Sequence, residues 1–105
     1  MSHDTDVLWL DEQRVVSLEE LVQVSGLTRA ELLELVHCGA LPVREERGAS
    51  YYFPARTISV ARTACRLRDE LELDMAGLAV ALRLLDRVRG LEEEIARLRA
   101  LLPHG

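Results

Sequence analysis

The stretch VSGLTRAELLELVHCGALPVREE, residues 24–46, decides the fold. Thr28 is a preferred helix N-cap, and Glu31, three positions later, completes a capping-box pattern. The apolar residues that follow recur at three or four positions, as on one face of a helix: Leu32, Leu35 and Val36, with Leu33 beside them. Gly39 is suited to end this helix. The stretch therefore predicts a turn, a short helix and then extended chain.

Another short helix is predicted immediately before this turn. Ser17 and Glu20 repeat the capping-box spacing, and Gly26 is placed to end the helix. Its inward residues are predicted to be Leu18, Leu21 and Val22, with Val24 at the edge. Two short helices joined around a glycine form a helix-turn-helix unit, whose second helix lies in the major groove in DNA-binding proteins. Residues 6–10 and 14–17 are strand candidates.

The residues after this unit predict a hairpin and two further helices. Strands at 43–45 and 51–53 flank a turn at 47–50, and this hairpin forms a wing. A third helix spans 55–73, with an inward face of Ile58, Ala61, Ala64, Cys65, Leu67 and Leu71. Asp74 is placed to cap a fourth helix that runs to about residue 102. The fold class predicted is mainly α: a winged helix-turn-helix domain at 1–74 and a long C-terminal helix at 75–105.

The fourth helix carries a heptad pattern. Its apolar positions alternate spacings of three and four: Ala81, Leu84, Val88, Leu91, Ile95, Leu98 and Leu102. The flanking charges form the opposite-sign pairs Arg87–Glu92 and Glu94–Arg99, which suit a two-stranded coiled coil. We predict a homodimer through Leu84, Val88, Leu91, Ile95, Leu98 and Leu102. The alternative is a long helix that lies on its own domain.

The charge distribution disfavours contact with DNA. The 105-residue chain has a net charge of −5, and residues 1–54 hold ten acids but only four arginines. Phosphate neutralisation supplies most of the affinity of a DNA-binding surface, so the surface should be basic. The predicted second helix instead carries Glu31 and Glu34 and a single base, Arg29.

Other functional classes find little support in the sequence. Cys38 and Cys65 are too few for a disulfide framework, and His37 beside Cys38 is too little for a metal site, so we expect a helix-terminal His and a packed Cys. No nucleophile elbow, phosphate loop or carboxylate dyad is present. We expect a cytoplasmic, non-enzymatic protein with no cofactor, no metal and no membrane span.

A signature further along the chain gives a more specific assignment. The segment ACRLRDELELDMAGLAVALRLLDRV, residues 64–88, resembles the CbpM chaperone-modulator family, in which RLR-x-EL leads through LD-x-x-G-x-AVAL into the terminal helix. Met75 and Ala76 depart from that family, where we expect an aromatic residue and proline. The order of helix-turn-helix, wing, helix and long helix also resembles the MerR superfamily. The resemblance implies binding to the J-domain of a CbpA-type, DnaJ-like co-chaperone, so that DnaK engagement and the co-chaperone's own DNA binding are reduced. It implies no enzymatic activity.

The candidate partner-binding residues fall into two groups. The acids of the helix-turn-helix are expected to face a basic J-domain helix, and they are Glu19, Glu20, Glu31 and Glu34. The family signature contributes Arg66, Arg68 and Glu70. For the signature residues we favour intramolecular i,i+4 pairs, Arg66–Glu70 and Arg68–Glu72, that orient the two long helices. For Glu20 and Glu31 the alternative is that they only cap helices.

The runner-up function is a MerR-like transcriptional regulator that binds DNA directly. The wing would supply it with Arg44, Arg47 and Arg56 and with the aromatic residues Tyr51 and Tyr52. Glu45 and Glu46 offset those charges, so we favour an aromatic pair that anchors the hairpin to the core.

Overall fold

A computed structural model describes residues 14–103. The helices are α1 (Leu18–Ser25), α2 (Arg29–His37), α3 (Thr57–Leu71) and α4 (Met75–Ala100), and the strands are β1 (Val15–Ser17), β2 (Glu45–Arg47) and β3 (Ser50–Pro54). The strands form one antiparallel sheet in the order β1-β3-β2. The prediction of a mainly helical fold with a small hairpin is confirmed. The candidate strand at 6–10 lies outside the described residues.

Both short helices begin as their sequences predicted. The Glu20 backbone N–H donates to Ser17 Oγ at 3.1 Å, and the Glu20 carboxylate accepts the Ser17 N–H at 3.0 Å. Thr28 and Glu31 form the same reciprocal pair at 3.1 and 2.9 Å. These bonds satisfy N–H groups that a helix start leaves without partners. The two capping boxes therefore fix where α1 and α2 begin.

The first strand of the wing differs from its predicted position, whereas the second, predicted at 51–53, lies within β3. The first strand begins at Glu45, two residues later than expected, and Arg47 pairs with Ser50 across the hairpin. Only Gly48 and Ala49 form the turn, and the φ of Gly48 is +60°. A two-residue hairpin turn of this kind requires positive φ, which glycine adopts without strain. The turn chemistry therefore sets the register.

The core is aliphatic and lies between the sheet and the four helices. Its members are Val16, Leu18, Leu21, Leu27, Leu32, Leu35, Leu41, Phe53, Ala61, Ala64, Leu78, Ala79 and Leu82. Phe53 lies on the central strand opposite Val16. Of α4, only the first turns reach this core. The prediction that Leu71 faces inward is wrong, because α3 ends there and the side chain is 62% exposed. The division of the chain at residue 74 stays a prediction.

Among the glycines of the described residues, Gly26 leaves the least room for an added Cβ atom. Its φ is +88°, and a Cβ built there would lie 2.7 Å from Cys65 Sγ. We expect Gly26→Ala to lower the free energy of unfolding by about 2 kcal/mol, from the left-handed backbone together with the steric overlap. Gly48→Ala is the matched control, since its φ is also positive but nothing lies within 4 Å. Urea denaturation of both variants measures the difference. Equal losses would show that the close approach to Cys65 has no energetic effect.

Candidate partner-binding surface

Arg29, the single arginine of α2, is neutralised by a carboxylate of the same protein. Arg29 Nη1 forms an ion pair with Glu19 Oε2, which joins α2 to α1. Glu34 is exposed, and within residues 14–103 it forms no ion pair. Glu20 is also exposed, although one carboxylate oxygen accepts the Ser17 N–H. The Arg29–Glu19 pair removes one charge of each sign, so the net charge of this face is unchanged, and the exposed carboxylates without an ion pair in the described range are Glu20 and Glu34.

Glu31 joins α2 to α3. Its Oε1 accepts the Thr28 N–H at 2.9 Å and Arg68 Nη1 at 2.5 Å. The Arg68 and Glu31 side chains are 25% and 22% exposed, so this ion pair is shielded from water more than the Arg29–Glu19 pair. Partial burial raises the pKa of the Glu31 carboxyl, but the hydrogen bonds from Thr28 and Arg68 outweigh it and leave that pKa below its usual value. The Glu31 carboxylate is largely occupied by internal partners.

The predicted Arg68–Glu72 pair is wrong. Arg68 donates instead to Glu31 and, through Nε at 3.0 Å, to Asp69 Oδ1. Helix α3 ends at Leu71, and Glu72 adopts a left-handed conformation with φ of +51°, so it does not occupy the next helical position. The hydrogen bonds that Arg68 donates to the Glu31 and Asp69 carboxylates raise the pKa of its guanidinium, which stays charged.

The predicted Arg66–Glu70 pair is also absent from the structure. Both side chains are exposed, and no ion pair joins them in the described part of the chain. The structure thus brings the two predicted groups together at a single point, where Glu31 meets Arg68. Periodicity within one helix could not indicate this contact, since the two residues lie 37 positions apart.

The Glu31–Arg68 pair predicts a pH dependence of stability. A carboxyl whose pKa is lowered by folding contributes stability above its unfolded pKa, and that contribution is lost as the pH falls through the folded pKa. Glu31→Gln retains the cap, because glutamine also serves at this position, but it removes the charge. We expect it to cost about 1 kcal/mol at pH 7 and progressively less below the unfolded glutamate pKa of about 4.3.

Denaturant titrations between pH 7 and pH 3.5 measure this effect. Glu20→Gln is the control, because it makes the same change in a capping box whose carboxylate has no cation partner among residues 14–103. If Glu31→Gln lowers the free energy of unfolding by the same amount at every pH, the Glu31–Arg68 pair makes no electrostatic contribution to stability.

The wing is stabilised by its own side chains. Arg47 Nη2 lies 2.6 Å from Glu45 Oε2, and its guanidinium stands 5.4 Å from the centre of the Tyr52 ring. Tyr51 is half-buried against the core. Arg47, Tyr51 and Tyr52 therefore have structural partners, which favours the anchoring interpretation of the hairpin over contact with a phosphate backbone.

The remaining candidates for a chemical site are dispersed. His37 and Cys38 are both exposed, so the prediction of a packed Cys38 is wrong. Among residues 14–103, no three His, Cys, Asp or Glu side chains come together as metal ligands. Within the same range, no helix has the length and apolar character needed to cross a membrane.

The predicted heptad positions are unpartnered in the monomer. Leu84, Val88, Leu91, Ile95, Leu98 and Leu102 are each between 40% and 62% exposed. Every residue from 83 to 103 is exposed, and the last buried residue of α4 is Leu82, so the seam residues do not pack on the domain. The alternative interpretation, in which the heptad seam packs on its own domain, does not agree with this geometry.

Together these features define a winged helix-turn-helix protein with an acidic second helix and a free C-terminal helix. Residues 16–100 match the family model described as MerR HTH family regulatory protein. The predicted MerR-like layout is therefore confirmed.

Comparison with individual relatives gives a more specific family assignment. The proteins named chaperone modulatory protein CbpM from Salmonella arizonae, Salmonella paratyphi B and Salmonella newport are each 38% identical to this chain over 92 residues. The alignments cover 84% of this chain and 91% of each relative. The chain belongs to the CbpM family, as the signature at 64–88 indicated.

Proposed function

We propose that this protein modulates a chaperone system by binding the J-domain of a CbpA-type, DnaJ-like co-chaperone through the acidic face of its helix-turn-helix. Membership in a family named for chaperone modulation supports the general role. The acidic face consists of the exposed carboxylates Glu19, Glu20 and Glu34. The observation that carries the proposal is that Glu20 and Glu34 are exposed and form no ion pair within residues 14–103, whereas Arg29 is already paired with Glu19.

The electrostatics of this face suit a basic protein partner. A duplex would bring phosphate charge against carboxylates without a gain from counterion release. A helix rich in lysine and arginine would instead gain complementarity and faster encounter. Binding there would cover basic J-domain residues needed to dock on DnaK, so the mechanism is competition and involves no catalysis. The co-chaperone's own binding to DNA would be reduced in the same way.

The exposure and ion pairing of the candidate residues support a choice among them. Glu34 is exposed and makes no internal ion pair in the described range, whereas Glu31 is held by Thr28 and Arg68. Arg66 and Glu70 are exposed on α3 and are available to the same partner. Arg68 contributes mainly by holding Glu31 and thereby fixing α2 against α3. We propose Glu34 as the principal electrostatic contact.

The test is a charge reversal at Glu34. We expect Glu34→Lys to weaken J-domain binding about tenfold at low salt, mostly through slower association, because a charge that steers encounter is inverted. Glu93→Lys is the matched control, since it makes the same change at an exposed position on α4 outside the heptad seam. Surface plasmon resonance with a purified J-domain gives both rates. Equal affinities of the two variants would place the contact elsewhere.

We also propose that the active form is a homodimer joined through the heptad seam, consisting of Leu84, Val88, Leu91, Ile95, Leu98 and Leu102. The seam is exposed over its full length, and its flanking charges pair with opposite sign in a two-stranded arrangement. A dimer of this form would present two acidic faces from one coiled coil.

The alternative is a DNA-binding regulator. The match to a MerR regulatory family favours it, as does the winged fold. The acidic face disfavours it. Direct comparison of J-domain and duplex binding separates the two, as described in the Discussion.

A further inference from the structure

A cavity of about 330 Å³ lies away from the acidic face. It is bounded by the turn after α2, the first turns of α3 and the middle of α4. None of the residues proposed to contact the J-domain lines it, and neither do the seam residues. Pockets that hold small molecules begin at about 300 Å³, so this cavity is large enough for a compact ligand.

The cavity is lined by more positive than negative charge. Arg56, Arg83 and Arg89 line it together with a single acid, Asp86, a local balance of +2. Across residues 14–103, none of these three arginines forms an ion pair. Arg83 does donate a hydrogen bond to the Cys38 carbonyl oxygen, which ties α4 to the end of α2. In a chain of net charge −5, this is a local concentration of positive potential.

A buried hydroxyl in the cavity wall lacks a partner. Thr57 lines the cavity and is fully buried, and its Oγ1 has no hydrogen-bond partner among the described residues. Such a group is costly to bury and is rare in folded proteins, so it points to a ligand acceptor. Thr57 also begins α3, which has no side-chain cap, whereas α1, α2 and α4 each have one. The backbone N–H groups at the start of α3, which no side chain caps, are thus suited to binding an anion.

We propose that this cavity binds a small organic molecule that carries a phosphate group. The phosphate would lie near Thr57 and the arginines, and the apolar part of the ligand would contact side chains such as Leu85. A phosphate monoester carries about −1.5 to −2 charges at neutral pH, which matches the local balance of +2. A single carboxylate would leave positive charge uncompensated. The arginines can also bind phosphate oxygens through two N–H groups at once.

The test uses adenosine monophosphate as the probe in isothermal titration calorimetry with the full chain at low ionic strength. Adenosine is the uncharged control, and inorganic phosphate tests the anion alone. We expect the monophosphate to bind, phosphate to bind more weakly at the same site, and adenosine to give no heat of binding. Absence of binding by both the monophosphate and phosphate would overturn the proposal.

Two substitutions in the cavity wall test whether the monophosphate binds in this cavity. We expect Arg89→Ala and Thr57→Val each to weaken binding of the monophosphate at least about tenfold, since the first removes a guanidinium and its charge and the second removes a hydroxyl donor. Thr57→Val should not lower the melting temperature of the free protein, because the hydroxyl it removes has no internal partner. Arg97→Ala is the control, an equivalent change on α4 outside the cavity. Affinities unchanged in both cavity variants would overturn the assignment.

Discussion

Leu91→Asp is expected to dissociate the proposed homodimer into monomers. Leu91 lies in the middle of the heptad seam, where each helix of a coiled coil inserts its side chain between residues of its partner. An aspartate there would place a charge from each protomer in the apolar interface, without a cation to pair with it. We expect this to cost at least about 3 kcal/mol per dimer, which raises the dissociation constant by more than about a hundredfold.

Sedimentation velocity over a range of protein concentrations measures the change. The control is Ala96→Asp, the same new side chain on the opposite side of the same exposed helix. It should leave the dimer intact. A wild-type protein that sediments as a monomer at all concentrations would contradict the dimer, and so would a Leu91→Asp variant that associates as strongly as Ala96→Asp.

Phe53→Ala is expected to give the largest loss of stability. Phe53 is fully buried on the central strand, where β3 pairs with both β1 and β2. Replacing a buried phenylalanine with alanine costs about 3–5 kcal/mol, from lost transfer energy and from the cavity that remains. A domain of this size has a total stability of about 5–15 kcal/mol, so the variant is expected to be partly unfolded at 37 °C or close to it.

Guanidinium denaturation at one fixed protein concentration checks this, because association also contributes to apparent stability. Tyr52→Ala is the control. Its side chain is the neighbouring aromatic on the same strand but is only half-buried, and its ring meets Arg47, so we expect a loss of about 1 kcal/mol. Similar losses in the two variants would mean that Phe53 is not central to the core.

The parts of the fold that sequence could predict are those set by neighbouring residues. Ser17–Glu20 and Thr28–Glu31 each form their capping box within four residues, so the pattern alone places the helix starts. The heptad spacing in α4 likewise indicates an apolar stripe, which the structure shows as exposed. The first strand of the wing begins two residues later than predicted because the strand register depends on the turn, and Gly48 with Ala49 favours the shorter connection.

The candidate surface was predicted less well, since its contacts join distant segments. Arg68 has carboxylates near it in sequence at Asp69 and Glu72, but its shielded partner is Glu31 on another helix. The pairing of Arg29 with Glu19 is equally invisible to a charge count. The acidic composition was evident, whereas the identity of the unpaired carboxylate, Glu34, required the packing of α1, α2 and α3.

The most direct test of the central claim compares two ligands on the same protein. The full chain is titrated against a purified J-domain of a DnaJ-like co-chaperone and against duplex DNA, at the same moderate salt concentration. The acidic face predicts saturable binding to the J-domain, weaker in Glu34→Lys than in Glu93→Lys, and no sequence-specific binding to the duplex. Sequence-specific nanomolar binding to the duplex, with no binding to the J-domain, would contradict it.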